Sequence, residues 1–305
     1  MFKLTLNVTN NCNFHCKHCL REYDRKQNLD LNILEKLLKE VVPLGLVNVG
    51  VTGGEPGLHP EFPDLIQLLL KYNLRFGITT NGSLLDRYRF IAENHKKSVR
   101  YFCHSIDGPK EVHDFIRQSG AFDTAVRGVQ FFVGEGLYNN IQMCLNKHNV
   151  EHIDFIFELA KELGVSLIIF TSALRTPSNS DLVLTDTEKK ACVRKIHSLQ
   201  KVNPIKTAIG RSLQEDTKIG FCHRFSLYDV TVNPRNELVL CCNSIRDGIV
   251  VGSLEQHSFK FLYLKTVNMV NAMLRDRATR ILNKDTFEGF NTCEYCQHFF
   301  ADRIR

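Results

Sequence analysis

Three cysteines near the N-terminus have the spacing of a metal-binding loop. Cys12, Cys16 and Cys19 form a C-x3-C-x2-C array directly after an apolar, strand-like segment at 2–8. Iron–sulfur clusters are normally held by four cysteine thiolates, so a local set of three can bind three irons of a four-iron cluster and leave the fourth open. A structural zinc site is the alternative, because His15 or His18 could supply the fourth ligand that zinc requires.

The cysteine content indicates a chain whose thiols stay reduced. Eleven cysteines are an odd number, which argues against a closed disulfide framework. The first residues show no signal-peptide pattern, and no apolar run is long enough to span a bilayer. We therefore expect a cytoplasmic protein in which clustered cysteines serve as metal or redox sites.

Length and charge narrow the function class further. A chain of 305 residues, 43% of them hydrophobic, can bury one barrel-sized core with or without an appendage. The net charge of +6 is small and scattered, and the sequence lacks the basic stripe of a nucleic-acid binder. We expect neither a nucleic-acid partner nor a membrane partner.

The chain up to about residue 170 alternates short apolar runs with longer segments of helical spacing. Strands are predicted at 4–9, 46–52, 74–79, 99–106, 140–146 and 165–170. Helices are predicted between them at 29–41, 61–72, 84–94, 122–134 and 151–163, with a further helix at 185–201. Six strand–helix repeats with right-handed crossovers predict an α/β fold in which a parallel sheet curls into a partial (β/α)6 TIM barrel.

Polar and glycine-rich residues follow the predicted strands at their C-terminal ends, where β/α barrels build active sites. The clearest such segment is Gly53-Gly54-Glu55-Pro56 after the second strand, whose glycines allow the backbone to approach a ligand closely. A turn of this kind is a weak signal alone. Its place one strand–helix unit after the cysteine array favours a functional role.

The C-terminal third departs from this alternation. Apolar runs at 226–232 and 237–240 flank Asn233-Pro234-Arg235-Asn236, which predicts a β-hairpin, and 259–281 predicts a long helix. We divide the chain into a barrel at 1–200 and a smaller auxiliary region of hairpin and helix at 201–305. This second region contains a further group of cysteines: Cys222, Cys241, Cys242, Cys293 and Cys296.

The cysteine array and the Gly-Gly-Glu-Pro turn together resemble the signature of the radical S-adenosylmethionine (radical SAM) superfamily. The polar segments 79–82 and 105–109, at the next two strand ends, agree with it, and the resemblance covers essentially the whole chain. It implies that Cys12, Cys16 and Cys19 ligate a 4Fe-4S cluster whose open iron is chelated by SAM.

The resemblance also implies residues that contact SAM. His18 stands where the superfamily usually has an aromatic residue near the adenine. The turn after the second strand would line the methionine end of SAM through Gly53, Gly54 and Glu55. Three further residues match positions that contact the ribose or the carboxylate in related enzymes: Ser105, Asp107 and Arg117. The structural alternatives are a solvated Arg117 and a turn-forming Asp107.

The later cysteines resemble the twitch form of the SPASM region, which holds one auxiliary 4Fe-4S cluster. The resemblance implies four ligands: Cys222, Cys241, Cys293 and Cys296. No cysteine follows Cys296, so we expect one auxiliary cluster and not two; a zinc ribbon is the alternative.

Four cysteines belong to neither set: Cys103, Cys144, Cys192 and Cys242. Core packing is the default role of each, because cysteine is among the most buried residue types. Cys242 is the candidate catalytic thiol, since it lies beside a predicted cluster ligand and could donate a hydrogen atom to a substrate radical. In the alternative assignment, Cys242 is the cluster ligand and Cys241 is the catalytic thiol.

The resemblance implies a radical SAM oxidoreductase or maturase. Such an enzyme takes one electron from a donor such as flavodoxin or ferredoxin, cleaves SAM to a 5′-deoxyadenosyl radical and abstracts hydrogen from a substrate carbon. We predict a ribosomally made peptide as substrate, modified by an oxidative crosslink or by epimerisation. The lack of a leader-binding domain ahead of the cysteines weakens this prediction, and a dehydrogenase or epimerase of a sugar or aminocyclitol metabolite is the alternative. A non-catalytic Fe–S or zinc scaffold is a third alternative, against which the intact motifs argue.

Overall fold

A computed structural model describes residues 2–20, 26–175, 179–213, 227–241, 249–283, 295–296 and 299–300. The strands are β1 (Phe2–Asn7), β2 (Leu46–Thr52), β3 (Arg75–Thr80), β4 (Val99–Ser105), β5 (Asn139–Leu145), β6 (Leu167–Ser172), β7 (Lys206–Ile209), β8 (Asp229–Val232), β9 (Glu237–Val239) and β10 (Val250–Ser253). The helices are α1 (Leu31–Val41), α2 (Phe62–Lys71), α3 (Leu85–Asn94), α4 (Lys110–Ile116), α5 (Ala121–Gly134), α6 (Ile153–Glu162), α7 (Asp186–Val202) and α8 (Phe259–Leu282).

All ten described strands belong to one sheet, in the order β10-β9-β8-β1-β2-β3-β4-β5-β6-β7. Neighbouring strands from β1 to β7 are parallel, and a helix follows each of the first six. The sheet continues beyond β1 into the hairpin, because β8 pairs with β1 in parallel and β9 pairs with β8 in antiparallel orientation. The parallel sheet with helices between its strands confirms the predicted α/β architecture.

The predicted elements agree with the observed ones to within about two residues at each end, apart from the start of the hairpin. The hairpin at β8 and β9 is confirmed, with residues 233–236 as its turn. The structure adds β7, β10 and α4, which the sequence pattern did not predict. These elements span four, four and seven residues, too few for a hydrophobic period to be recognised.

The division proposed at residue 200 lies near the end of α7, which closes at Val202. Strands on both sides of this point, β1–β6 before it and β7–β10 after it, contribute to the same sheet. The boundary between a barrel and an auxiliary region therefore stays a prediction.

The two faces of the parallel sheet differ in polarity. Apart from the buried His104 of β4, the residues that face the helices are mostly apolar and belong to two core clusters, for example Leu4 and Leu6 in β1 and Ile168 and Phe170 in β6. Successive side chains of a strand point to opposite faces. The other face also carries Tyr101, Cys103, Leu167 and Ile169, but most of its residues are small or polar: Thr5, Asn7, Gly50, Thr52, Gly77, Thr79, Ser105, Asn140, Gln142 and Thr171. This polar inward face leads up to the loops at the C-terminal ends of the strands.

The length and hydropathy of the helices determine whether any of them could span a membrane. Within the described ranges, no helix is both long and apolar enough to cross a bilayer.

Candidate active site

The cysteine array lies in the loop after β1, at the C-terminal edge of the sheet. A β-bridge between Thr9 and Asn28 closes the base of this loop, and the Thr9 hydroxyl donates to the Asn28 side chain at 2.7 Å. Within the loop, the Cys19 N–H donates to the Cys16 carbonyl at 3.0 Å. One short segment therefore presents Cys12, Cys16 and Cys19.

The three thiols are partly buried, and hydrogen-bond donors lie near Cys12 and Cys16. Cys12 Sγ lies 3.5 Å from the Phe14 backbone nitrogen and 3.9 Å from Asn81 Nδ2. Cys16 Sγ lies 3.8 Å from Arg117 Nη1. Burial raises the pKa of Cys12 to about 12, and it raises the pKa of Cys16 although the Arg117 charge lowers it. A thiolate buried to this depth is unfavourable unless a positive charge lies beside it.

This donor set fits the four-iron cluster that the resemblance implies. Thiolates ligate such clusters, and hydrogen bonds to their sulfurs help to set the reduction potential. Among the described residues, no group of three or more His, Cys, Asp or Glu side chains is arranged to hold a single metal ion. An iron–sulfur cluster does not require its cysteines to converge on a single ion, since each cysteine binds a separate iron.

The glycine turn after β2 lies with its backbone directly against the cysteine loop. The Gly54 N–H donates to the Thr9 carbonyl at 2.7 Å, and the Glu55 N–H donates to the Asn11 carbonyl at 2.8 Å. A Cβ at Gly54 would clash with the Asn11 carbonyl, and a Cβ at Gly53 would clash with the Thr9 carbonyl. Glycine alone permits this approach, so the turn and the cysteine loop form one unit.

The side chain of Glu55 lies in the protein interior and is 0% exposed. Its carboxylate accepts hydrogen bonds from the Thr80 hydroxyl (2.7 Å), the Asn81 N–H (2.8 Å) and the Tyr88 hydroxyl. Burial raises the pKa of Glu55 against these hydrogen bonds, which lower it. The carboxylate ties the turn to the end of β3 and to α3, so the part of Glu55 that meets the cysteine loop is its backbone.

A buried ion pair lies beside the second cysteine. Arg117, which directly follows α4, donates from Nε to Oδ2 of Asp107 at 2.6 Å, and its Nη1 faces Cys16. The Cys144 N–H donates to the other carboxylate oxygen of Asp107 at 2.8 Å. Burial would raise the pKa of Asp107, but the charge of Arg117 holds it below its ordinary value. Arg117 is therefore neither solvated nor free, and Asp107 does more than form a turn.

His18 lies against the same ion pair. Its Nε2 is 3.9 Å from Asp107 Oδ2, and its buried Nδ1 has no hydrogen-bond partner among the described residues. Burial lowers the pKa of His18 to about 4, so the ring is neutral near pH 7. A neutral ring with one unsatisfied nitrogen beside the cysteine loop fits the position near the adenine that the resemblance implies.

Strand β4 adds Ser105 at its C-terminal end and two inward-facing side chains below it. The Tyr101 ring covers Gly77 in the neighbouring strand so closely that no larger residue fits there. Cys103 is 1% exposed, and burial raises its pKa to about 12. Cys144 in β5 is partly exposed, and burial together with the charge of Asp107 raises its pKa to about 12 as well. Both thiols are thus protonated at neutral pH.

The structure describes two cysteines of the second group. Cys241 follows the end of β9 and is partly exposed, whereas Cys296 is buried. Cys296 belongs to an apolar cluster of the hairpin end, α8 and the C-terminal residues: Leu240, Ile249, Val270, Met273, Tyr295, Cys296, Phe299 and Phe300. Leu240, which directly precedes Cys241, therefore packs in the same cluster as Cys296. Three other predicted residues, Cys222, Cys242 and Cys293, lie outside the described residues.

Two residues that the sequence analysis did not select complete the site. Asn81 donates from its backbone to Glu55 and from its side chain to Asn13 (3.0 Å), and it approaches Cys12. The sequence feature that points to Asn81 is the polar segment 79–82 at the end of a predicted strand. Tyr88 donates to Glu55 from within α3, where its spacing indicates only an apolar helix face, so no sequence signal could have selected it.

Comparison with a protein-family model gives a match over half of the chain. The model of the Radical SAM superfamily matches residues 6–160, which include the cysteine array, the glycine turn and strands β2–β5.

Curated relatives are similar over somewhat more than half of the chain. Fe-coproporphyrin III synthase of Methanosarcina barkeri is 30% identical over 185 residues, which are 59% of this chain and 46% of that protein. Mycofactocin maturase MftC of Mycobacterium tuberculosis is 28% identical over 172 residues, which are 54% of this chain and 43% of that protein. The chain thus spans about half the length of the curated relatives it matches.

A solved structure has a similar fold over most of the chain. Streptococcus suis SuiB bound to S-adenosylmethionine aligns with a TM-score of 0.70 at 13% identity, covering 86% of this chain and 65% of that one. At this identity the likeness concerns the fold alone.

Proposed function

Because the chain belongs to the radical SAM superfamily, we propose that it is an enzyme that uses SAM to abstract hydrogen from a substrate carbon. When bound, the 4Fe-4S cluster and SAM supply the 5′-deoxyadenosyl radical for this reaction. One observation carries the proposal: the cysteine loop is joined backbone to backbone with Gly54 and Glu55 at the C-terminal edge of a parallel sheet. Active sites of β/α barrels lie at that edge.

The residues of this site take distinct roles in the proposal. Cys12, Cys16 and Cys19 bind three irons and leave the fourth for SAM. Gly53 and Gly54 keep the backbone close enough to meet the methionine end of SAM, and the buried carboxylate of Glu55 holds that turn in place. The neutral His18 ring and Ser105 would contact the nucleoside.

For the substrate, we propose a ribosomally made peptide that undergoes an oxidative crosslink or epimerisation. One curated relative is named a maturase, which supports this choice. The polar inward face supports it too, because hydroxyl and amide side chains such as Thr79, Asn140 and Gln142 can pair with the amide groups of a peptide. A protein of the flavodoxin or ferredoxin type would supply the electron.

The second cysteine group would hold one auxiliary 4Fe-4S cluster through Cys222, Cys241, Cys293 and Cys296. The burial of Cys296 beside the hairpin end supports convergence of these ligands. Reconstituted protein should then contain about eight irons and eight sulfides per chain, whereas about four irons with one zinc would indicate a ribbon. A Cys242→Ala variant that abstracts hydrogen but completes no turnover would identify Cys242 as the hydrogen donor.

The proposal is tested with anaerobically reconstituted full-length chain, dithionite and SAM. We expect release of 5′-deoxyadenosine, and a cluster-loaded protein that releases none would contradict the enzymatic function. Deuterium transfer from labelled substrates into 5′-deoxyadenosine then identifies the substrate. Labelled precursor peptides are compared with a labelled tetrapyrrole precursor, since one relative is named a synthase of Fe-coproporphyrin III, and with sugar-type metabolites. Transfer from either of the latter would replace the peptide.

A further inference from the structure

We infer that Arg117 is a fixed counter-charge of the cysteine loop: Asp107 holds it beside Cys16, where it sets the reduction potential of the cluster bound there. The inference rests on the proposed function, because it requires a cluster at Cys12, Cys16 and Cys19. It assigns Arg117 a role in addition to any contact with the SAM carboxylate, and it makes Asp107 a positioning residue.

The backbone brings Arg117 to Cys16 independently of the side chains. The Lys17 N–H donates to the Ile116 carbonyl at 2.9 Å. These two residues are the neighbours of Cys16 and Arg117 in the chain. The Arg117 N–H also donates to the His113 carbonyl at 2.9 Å, which fixes the end of α4. The 3.8 Å separation between Arg117 Nη1 and Cys16 Sγ therefore follows from a fixed arrangement of two loops.

Asp107 is itself held on several sides. One carboxylate oxygen accepts the Cys144 N–H at 2.8 Å, its own N–H donates to His113 Nδ1 at 3.0 Å, and its carbonyl accepts the Asn149 amide at 2.9 Å. The remaining carboxylate oxygen holds Arg117 Nε at 2.6 Å. A carboxylate anchored in this way leaves the guanidinium little freedom to rotate.

The surroundings make this charge effective. The Asp107 side chain is 0% exposed and that of Arg117 is 9% exposed, so water and salt screen the pair weakly. The Nε and Nη1 nitrogens of Arg117 already face Asp107 and Cys16, which leaves Nη2 as the nitrogen that could contact a SAM carboxylate without loss of either contact. The guanidinium stays protonated at every pH at which the protein is folded.

The sign of the effect follows from Coulomb's law. Net charge and hydrogen bonds to the sulfurs are among the quantities that set an Fe–S potential. Reduction transfers one electron from the external donor to the cluster, breaks no bond and adds one negative charge. A nearby cation favours the state with the added negative charge, so removing Arg117 makes the potential more negative and removing the Asp107 anion makes it less negative.

The test measures the midpoint potential of the N-terminal cluster by EPR-monitored titration without SAM, in variants of the full chain. We expect Arg117→Gln to shift the potential to a more negative value and Asp107→Asn to shift it in the opposite direction. The matched control is Lys110→Gln, which removes a cation from α4 that pairs with Asp123 at the surface. We expect its potential to equal that of the unmodified protein, because solvent screens this charge.

Three results would overturn the inference. The first is an Arg117→Gln protein that holds its iron and has the potential of the Lys110→Gln control. The second is Arg117→Gln that weakens SAM binding but leaves the SAM-free potential unchanged, which would make Arg117 a ligand of SAM. The third result comes from the double variant Arg117→Gln/Asp107→Asn, which removes both charges and serves where a single variant fails to fold around an unpaired buried charge. Its potential should still be more negative than that of the unmodified protein, since the cation is the charge nearer to Cys16. An unchanged potential in the double variant would refute the inference. A protein with shifted potentials that releases no 5′-deoxyadenosine would contradict the proposed function alone.

Discussion

The cysteine thiols of this chain differ in their chemistry because their surroundings differ. Cys12 and Cys16 lie at the C-terminal edge of the sheet, near N–H donors of Phe14, Asn81 and Arg117. Cys103 lies on the inward face of β4 and is almost fully buried. Burial raises the pKa of Cys12 and of Cys103 alike, and what distinguishes the cysteine loop is its set of N–H donors, which favour a metal-bound thiolate.

The first prediction at this scale concerns the cluster ligands. Cys16→Ala should lose the iron of the N-terminal cluster, about four per chain, and with it the release of 5′-deoxyadenosine. Iron and sulfide analysis of the reconstituted protein measures this. The control is Cys192→Ala, because Cys192 lies in the apolar core between α7 and the sheet and should be replaceable without loss of iron. Full iron content in Cys16→Ala would exclude Cys16 as a ligand.

The second prediction concerns the reactivity of Cys103. With a pKa of about 12, only roughly one molecule in ten thousand carries the thiolate at pH 8, and the thiolate is the nucleophile. Iodoacetamide should therefore leave Cys103 unmodified in the folded protein and modify it after denaturation, as mass spectrometry of peptides can show. The native pKa is raised above the unfolded value of about 8.5, so Cys103 contributes stability below that pH that is lost progressively as the pH rises towards 12. Rapid labelling of native protein at pH 8 would contradict this environment.

At the scale of elements, the turn after β2 and the loop after β1 act as one unit. Their backbones are joined at Thr9 and Asn11, and the approach depends on Gly53 and Gly54. Glu55 connects this unit to β3 and α3 through Thr80, Asn81 and Tyr88. Three successive strand ends therefore share one hydrogen-bonded network around the cysteine array.

Gly54→Ala tests this unit. The added methyl group would clash with the Asn11 carbonyl, so we expect the cysteine loop to be displaced and iron loading to fall, while circular dichroism shows the same helix and strand content. Gly134→Ala is the matched control, since no atom lies within 4 Å of its added Cβ. That substitution lies in the last residue of α5 and should be neutral or stabilise the helix by about 0.5–1 kcal/mol. Equal iron loading in both variants would refute the close approach.

At the scale of the whole molecule, the C-terminal hairpin extends the same sheet that carries the cysteine loop. β8 lies beside β1, Val232 pairs with Leu6, and the Thr5 hydroxyl donates to Asp229 at 3.1 Å. Leu6 and Val232 are both 0% exposed and belong to one core cluster. Stability of the strand that leads into the cysteine array thus depends on a segment more than 220 residues later.

Val232→Ala should therefore destabilise the whole sheet and not the hairpin alone. Loss of two buried methyl groups and the cavity they leave should lower the free energy of unfolding by roughly 2 kcal/mol. Urea denaturation measured by circular dichroism and by tyrosine fluorescence should show coincident transitions, both shifted. Val202→Ala is the control, because Val202 is 78% exposed and should change stability by less than about 0.5 kcal/mol. Separate transitions would show that the hairpin unfolds independently.

The prediction from sequence succeeded where the signal is local. Strand and helix periodicities placed β1–β6 and the long helices, because burial on one face imposes a period of two or 3.6 residues. It failed for β7, β10 and α4, which are too short to show a period. Tyr88 shows the same limit within the site, since its hydrogen bond to Glu55 is invisible in a helix pattern.

By itself the sequence determined the three-thiol array, the glycine turn and the alternation of strands and helices. Each is a property of neighbouring residues, and ligand spacing and conformational freedom act over a few positions. Only the tertiary structure decided that Arg117 lies beside Cys16, 101 residues away, that Asp107 holds it there, and that β8 lies beside β1. These contacts join distant segments, and their existence depends on how the helices and strands pack against each other.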